Sequence, residues 1–186
     1  DFENFTTVGG SMSLRDNIPA KKDATVVKLA KKAGLIQLGK TATVELALGG
    51  LGTNSNFITP ENTIMHDIAR VPGGSSSGSG VALSSSLCAA SFGTDTGGSV
   101  RIPACWNRLI GLKTSIGRIS LDGVLELASS YDTVGPLAKS VKDISILFSI
   151  LSETAYFNFE QLNHKNIKLI FAKGLLIENC DNEVLD

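Results

Sequence analysis

Hydrophobic positions recur at helical spacing in two parts of the chain, and polar residues mark where each part begins. Between Ala24 and Ala33 the apolar positions predict an amphipathic helix, with Asp23 as its N-cap and Gly34 as its C′ residue. The run Ser140 to Asp143 has the form of a capping box and predicts the start of another helix. Apolar residues then follow at helical spacing: Ile144, Leu147, Phe148 and Leu151.

Short apolar runs and one segment rich in small residues complete the pattern. The runs Leu35 to Leu38, Leu109 to Leu112 and Ile167 to Ala172 predict buried strands. The segment Ser75 to Ala90 predicts a helix that packs closely on its neighbours, because its apolar residues are periodic and most others are small. Strands therefore alternate with helices, which indicates the α/β class.

Composition limits the function classes. With 186 residues, 42% of them hydrophobic, the chain is long enough for one domain with one sizeable core. The net charge of −1 gives no footprint of nucleic-acid or membrane binding, and no apolar run is long enough to span a bilayer. The three cysteines, Cys88, Cys105 and Cys180, are scattered without a CxxC pair. They indicate a reducing, cytoplasmic compartment and no disulfide or zinc site.

Two clusters of glycine and serine carry the candidate chemistry. They occupy residues 71–80 and 93–104, and each presents a serine on permissive backbone. Consecutive glycines before a serine can aim several N–H groups at one point, which is how a developing oxyanion is held. No histidine lies near either cluster in sequence. Serine chemistry here therefore needs a base other than histidine.

Two short motif matches fail on their context. Gly34 to Thr41 matches the phosphate-binding pattern GxxxxGK[ST], but an apolar run predicted as a strand lies inside the supposed loop. Gly74 to Gly78 matches the GxSxG elbow of α/β-hydrolases, but no buried strand is predicted before it. The downstream histidine, His164, lies in a polar turn. Neither nucleotide binding nor a Ser–His–Asp hydrolase is indicated.

The two clusters and the segments around them resemble the amidase signature family, the Ser–cis-Ser–Lys amide hydrolases. The resemblance implies an α/β fold with a central mixed sheet flanked by helices, of which residues 1–186 form the central portion. The framework segments that match the family's motifs are Thr6–Ser11, Asp23–Val27, Ala33–Thr41, Gly111–Lys113, Gly117–Ser120 and Asp132–Ala138.

The resemblance implies specific roles in the two clusters. Ser99 is expected to be the acyl-forming nucleophile. Ser75, after a cis peptide bond to Gly74, is expected to bridge the nucleophile and the base, with its hydroxyl in hydrogen-bond reach of Ser99. Ser76 is expected to orient this network. The N–H groups expected to form the oxyanion hole are those of Thr96, Gly97, Gly98 and Ser99.

The third member of the family's triad is a neutral lysine, which removes the serine proton through the bridging serine. In the family this lysine precedes the segment that matches Thr6–Ser11, so we expect it upstream of Asp1 and expect residues 1–186 to be nearly inactive alone. Lys40 and Lys113 fall on framework motifs and are interpreted as structural.

Three charged residues near the second cluster are not catalytic by this interpretation. Asp95 and Arg101 are expected to brace the nucleophile loop, since a carboxylate or a guanidinium commonly satisfies orphan backbone groups. Arg108 stands where the family has glycine, and we expect it to perturb packing rather than chemistry.

The function that these residues imply is hydrolysis of a small-molecule amide through an acyl-enzyme, without metal or cofactor and without direct nucleic-acid or membrane binding. The resemblance allows a homodimer. One alternative is the glutaminase-type A subunit of a tRNA-dependent amidotransferase, although the Gly-Leu-Gly form at Gly50–Gly52 favours a stand-alone amidase. The other alternative is a non-catalytic remnant, motivated by the missing lysine and by Arg108.

Overall fold

A computed structural model describes residues 1–64 and 68–156, together with the single residues 158, 167, 168, 170, 174 and 180. Half of the residues in the strand predicted at 167–172 lie outside the described residues, as does His164. The described part of the chain contains both serine clusters in full.

A three-stranded antiparallel sheet forms the centre of the fold. Strand β1 spans Ser91–Asp95, β2 spans Ile110–Gly111 and β3 spans Thr133–Ala138, in the order β1-β3-β2. All six residues of β3 are buried, so it is the central strand in burial as well as in order. Asp95 at the end of β1 pairs with Thr133 at the start of β3. The run predicted at 109–112 is thus confirmed as a short strand.

Helices cover both faces of the sheet. Leu137 of β3 packs in a cluster with Leu83, Val100 and Ala104 on one face. Val134 and Ala138 contact the apolar faces of the first and last helices on the other face, as alternation along a strand requires. The helices are α1 (Thr25–Lys32), α2 (Ser77–Ser84), α3 (Arg101–Trp106) and α4 (Val141–Leu151), with short 3-10 helices at Met12–Leu14 and Glu45–Ala47. The predicted α/β class is confirmed.

The two helices predicted from periodicity both form, and their caps differ from each other. The Ser140 hydroxyl accepts a hydrogen bond from the N–H of Asp143 at 3.1 Å, which confirms the predicted cap of α4. The prediction of Asp23 as the N-cap of α1 is wrong, because the cap position is Ala24 and has no side-chain bond. Asp23 instead accepts from the N–H of Glu3 at 2.8 Å and from the Lys31 amine.

Two other predictions of secondary structure are wrong, and in both the apolar side chains expected to be buried are exposed. Leu35 to Leu38 forms no strand, and Ile36 and Leu38 are 87% and 73% exposed. This segment follows α1 and its C′ residue Gly34, at φ +84°, so it also lacks the strand-loop-helix context of a phosphate-binding loop. The helix predicted to reach Ala90 ends at Ser84, and Leu87 is 70% exposed.

Arg108 lies in the left-handed region just after α3, with φ +54°. Its side chain is exposed, and within the described residues its guanidinium has no recorded partner. We predict that Arg108→Gly raises the free energy of unfolding by about 0.5–1 kcal/mol. The left-handed conformation costs a non-glycine residue about 1–2 kcal/mol, from which the extra unfolded-state entropy of glycine is subtracted.

Urea unfolding of the two proteins measures this gain. Arg15→Gly is the matched control, because Arg15 is also exposed but has φ −60°, where glycine brings no relief. A weaker Arg108→Gly protein, or an equal gain in the Arg15 variant, contradicts the prediction.

Candidate active site

The candidate nucleophile, Ser99, lies in a turn between β1 and α3. We call residues Thr96–Val100 the nucleophile turn. Ser99 is half-buried and precedes α3 by two residues. Gly98 has φ +130°, a conformation that L side chains rarely adopt, so glycine is required for the chain to turn before the serine.

A buried carboxylate closes the nucleophile turn from within. Asp95 is fully buried and accepts from the N–H groups of Gly98 at 2.7 Å, Val100 at 3.1 Å and Arg101 at 3.3 Å. The Arg101 guanidinium adds two hydrogen bonds of 3.0 Å each. Burial by itself raises the pKa of Asp95, but Arg101 and the backbone donors outweigh it and hold the pKa below its ordinary value. The predicted bracing by Asp95 and Arg101 is therefore confirmed.

The lowered pKa of Asp95 predicts a loss of stability in acid. The folded state holds this carboxylate ionised, so as pH falls below the ordinary value of 3.8 the unfolded state takes up the proton first. The stabilisation is present in full above that value and is lost as pH falls through the lower, folded-state pKa. Urea unfolding at several pH values should show the stability gap between wild type and Asp95→Asn narrowing in acid. A gap that stays constant contradicts the assignment.

The first serine cluster lies directly against the nucleophile turn. The Gly74–Ser75 peptide bond is cis, as the family resemblance implied, and Ser75 is 1% exposed. The N–H of Ser76 donates to the carbonyl of Ser99 at 3.1 Å, and its hydroxyl donates to the carbonyl of Thr94 at 3.4 Å. A Cβ on Gly93 would lie 2.3 Å from the Ser76 hydroxyl oxygen, so only glycine lets this serine approach β1. Ser76 thus links the two clusters.

The geometry also bears on the expected Ser75–Ser99 contact and on which N–H groups can bind an oxyanion. Among the described residues, no hydrogen bond is recorded between the hydroxyls of Ser75 and Ser99, so their direct contact stays a prediction; such bonds are often long in the absence of substrate. The Gly98 N–H is used by Asp95 and is not free to face an oxyanion. For Thr96, Gly97 and Ser99, no acceptor of the N–H is recorded in the described part of the chain. These three remain the candidate oxyanion donors.

The backbone before Ser75 is held on two sides. The N–H groups of Gly73 and Gly74 donate to the carbonyls of Leu51 at 3.0 Å and Gly50 at 2.7 Å. From the other side, the amide of Asn107, which is 1% exposed, donates to the carbonyl of Pro72 at 2.7 Å. Sequence reasoning did not single out Asn107, since only the folded chain brings the end of α3 against this segment.

A second buried carboxylate, also missed as a site residue, contacts the start of the nucleophile turn. Asp132 is 4% exposed and accepts a hydrogen bond from the Thr96 hydroxyl. It also accepts from the N–H groups of Leu127 and Ala128, both at 2.9 Å. The sequence placed Asp132 in a framework motif. Its contact with Thr96 follows from the pairing of β1 with β3.

The two lysines interpreted as structural both donate to backbone carbonyls. Lys40 donates to Thr6 at 2.8 Å, and partial burial lowers the pKa of its amine. Lys113 donates to Thr114 at 2.8 Å. Across the described residues, no lysine amine is recorded in a hydrogen bond with Ser75 or Ser99.

Comparison with known proteins decides the family. The family model named Amidase matches residues 1–174, a range that contains both serine clusters and all three strands of the sheet. The chain belongs to the amidase family. Enzymes of this family act on carbon–nitrogen bonds.

Amidase relatives differ in the reactions that their names describe. The A subunit of the glutamyl-tRNA(Gln) amidotransferase of Sulfurisphaera tokodaii is 36% identical, and the match covers 98% of this chain and 41% of that protein. The 2-amino-5-chloromuconic acid deaminase of Comamonas testosteroni is 45% identical over 68% of this chain and 27% of its own length. The chain thus spans less than half the length of these relatives.

Solved amidase structures share the fold. The A subunit of the Thermotoga maritima glutamyl-tRNA(Gln) amidotransferase superposes with a TM-score of 0.75 and 39% identity, covering 81% of this chain and 32% of that one. The peptide amidase of Stenotrophomonas maltophilia gives a TM-score of 0.73 and 33% identity, covering 81% and 31%. In the described part of this amidase chain, every helix is too short or too polar to cross a lipid bilayer.

Proposed function

We propose that this protein hydrolyses a carboxylic amide through an acyl-enzyme on Ser99. The observation that carries the proposal is the Ser76–Ser99 backbone hydrogen bond of 3.1 Å, because it brings the cis Gly74–Ser75 segment against a turn with three candidate oxyanion donors. The Ser99 hydroxyl oxygen attacks the amide carbonyl carbon, the carbon–nitrogen bond breaks, and ammonia or an amine leaves with the proton. Water then cleaves the ester and restores Ser99.

The N–H groups of Thr96, Gly97 and Ser99 stabilise the oxyanion in this scheme. Each such donor typically contributes a factor of about 10²–10³ to the rate. Ser75 relays the Ser99 proton to a base, which the family resemblance implies to be a lysine. Since no lysine amine among the described residues bonds to either serine, we assign the base to none of the described residues. A cytoplasmic location completes the proposal, because the cysteine spacing shows no disulfide framework.

Release of ammonia or amine from benzamide and short aliphatic amides tests this function. We expect only a small rate for residues 1–186, because an unassisted serine hydroxyl is a weak nucleophile even where oxyanion donors stabilise the product of its attack. That rate should disappear in Ser99→Ala. No difference between the two proteins contradicts the proposal and favours a non-catalytic remnant. Robust turnover would mean that a base exists within the chain, with Lys40 or Lys113 examined first.

A second candidate function is the glutaminase component of a tRNA-dependent amidotransferase. The observation that favours it is the name of several relatives, among them one that covers 98% of this chain. Against it, Gly50 to Gly52 depart from the form expected for that component. Ammonia release from L-glutamine, measured beside the simple amides, discriminates the two. Preference for simple amides supports the stand-alone amidase, and preference for glutamine supports the amidotransferase component.

A further inference from the structure

We propose that Asp132 is a positioning residue that fixes the direction of the Thr96 N–H through the Thr96 hydroxyl. The inference rests on the proposed function, in which that N–H faces the oxyanion. Asp132 does not touch the reacting atoms in this scheme. It acts through Thr96, the first residue of the nucleophile turn.

The contacts of Asp132 leave the Thr96 side chain one orientation. One carboxylate oxygen accepts from the Thr96 hydroxyl, and the other accepts from the N–H groups of Leu127 and Ala128 at 2.9 Å. The carboxylate therefore cannot rotate without losing a hydrogen bond. A fixed side chain on Thr96 limits rotation about its own backbone, and with it the direction of its N–H.

The strand that follows Asp132 makes its position rigid. Thr133 begins the fully buried β3, pairs with Asp95, and donates its hydroxyl proton to the Asp95 carbonyl at 2.8 Å. The nucleophile turn thus has a buried carboxylate at each end. Asp95 accepts hydrogen bonds from Gly98 and Val100 in the second half of the turn, whereas Asp132 accepts one from Thr96, the first residue of the turn. Between them Gly97 is exposed, and a Cβ there would contact nothing within 4 Å.

The charge of Asp132 fixes which atom is the donor. Burial by itself raises the pKa of this carboxyl, but the Thr96 hydroxyl and the two N–H groups outweigh it and keep the pKa below its ordinary value. An ionised carboxylate only accepts, so the Thr96 hydroxyl donates. Three donors compensate the negative charge, which reduces its opposition to an oxyanion nearby.

The variant Thr96→Val tests the inference, because it keeps the shape of the side chain and removes the hydroxyl. Backbone ¹⁵N relaxation of residues 96 and 97 should show the order parameter falling from about 0.85 to below about 0.6, the range of flexible backbone. Thr96→Ser, which keeps the hydroxyl, should restore it. Thr114→Val is the matched control, since that buried hydroxyl donates to Val134 at 3.0 Å outside the turn. It should leave residues 96 and 97 unchanged.

The rate of covalent modification at Ser99 is a second measurement, which tests whether the orientation of Thr96 affects the reaction. The rate at which a phosphonofluoridate modifies Ser99 should fall about tenfold in Thr96→Val, the effect of losing one charge-assisted hydrogen bond. Its reversible affinity should be unchanged, because positioning affects the transition state. Unchanged order parameters in Thr96→Val, or a loss that Thr96→Ser does not repair, overturn the role of Asp132. If wild type is not modified at Ser99 while the order parameters change as expected, the proposed function fails and the positioning stands.

Discussion

Asp95→Asn should lower the free energy of unfolding by about 3 kcal/mol. The two carboxylate oxygens of Asp95 together accept five hydrogen bonds, at least two on each oxygen. In either orientation, the amide group of asparagine would place its own N–H donors against at least two of these five donors. Those donors would lose their acceptor, and Arg101 would lose the opposite charge.

Chemical unfolding in urea measures this loss, with Asp122→Asn as the matched control. Asp122 also pairs with a basic residue, Lys22, but both side chains are more than half exposed, so the control should match wild type within error. Equal stability of Asp95→Asn and wild type would mean that the turn does not depend on this carboxylate.

Alanine substitutions of Ser99 and Ser75 should have different effects on acylation, because Ser99 forms the covalent bond and Ser75 only accelerates its formation. Ser99→Ala should abolish acyl-enzyme formation, because it removes the oxygen that forms the covalent bond. In a protein that also carries the lysine base implied by the family resemblance, Ser75→Ala should lower the acylation rate by about 10²–10⁴-fold, the contribution typical of a positioned proton-transfer group. Ser75 is buried, but no hydrogen bond of its hydroxyl is recorded in the described part of the chain, so the fold should remain intact.

Ser79→Ala is the control for burial. Ser79 is 2% exposed on α2, and its hydroxyl donates to the carbonyl of Phe92 at 2.8 Å. Its loss should cost about 1 kcal/mol of stability and leave the acylation rate unchanged. Acylation rates come from rapid-quench mass spectrometry. If Ser75→Ala acylates as fast as wild type, or if Ser79→Ala is as slow as Ser75→Ala, the bridging role is wrong.

Local rules explain the elements that the sequence predicted well. Helix α4 combines a capping box with apolar positions at helical spacing, and both features depend on residues within a few positions of each other. Leu35 to Leu38 was predicted wrongly for the opposite reason. A short run with three apolar residues out of four is compatible with a strand, but a strand also needs a partner, and this segment crosses the surface without one in the described residues.

The residues of the candidate site also fall into those that local sequence predicts and those that only the folded structure shows. The sequence indicated the candidate serines because glycines lie among them in each cluster: Ser75, Ser76 and Ser99. It indicated Asp95 because this residue directly precedes the nucleophile turn. Asp132 was not visible, because its contact with Thr96 exists only once β1 and β3 pair. The commitment of the Gly98 N–H to Asp95 likewise depends on the shape of the turn, which composition does not specify.

The most direct test of the central claim, that Ser99 is the acyl-forming nucleophile, is the site of covalent modification. The full chain and its Ser99→Ala variant are treated with a phosphonofluoridate, in which the serine oxygen bonds to phosphorus as fluoride leaves, and the adducts are located by peptide mass spectrometry. We predict one adduct, on Ser99, at a rate above that of every other serine, and no adduct in Ser99→Ala. An adduct on another serine, equal modification of many serines, or an adduct that persists in Ser99→Ala would contradict the account.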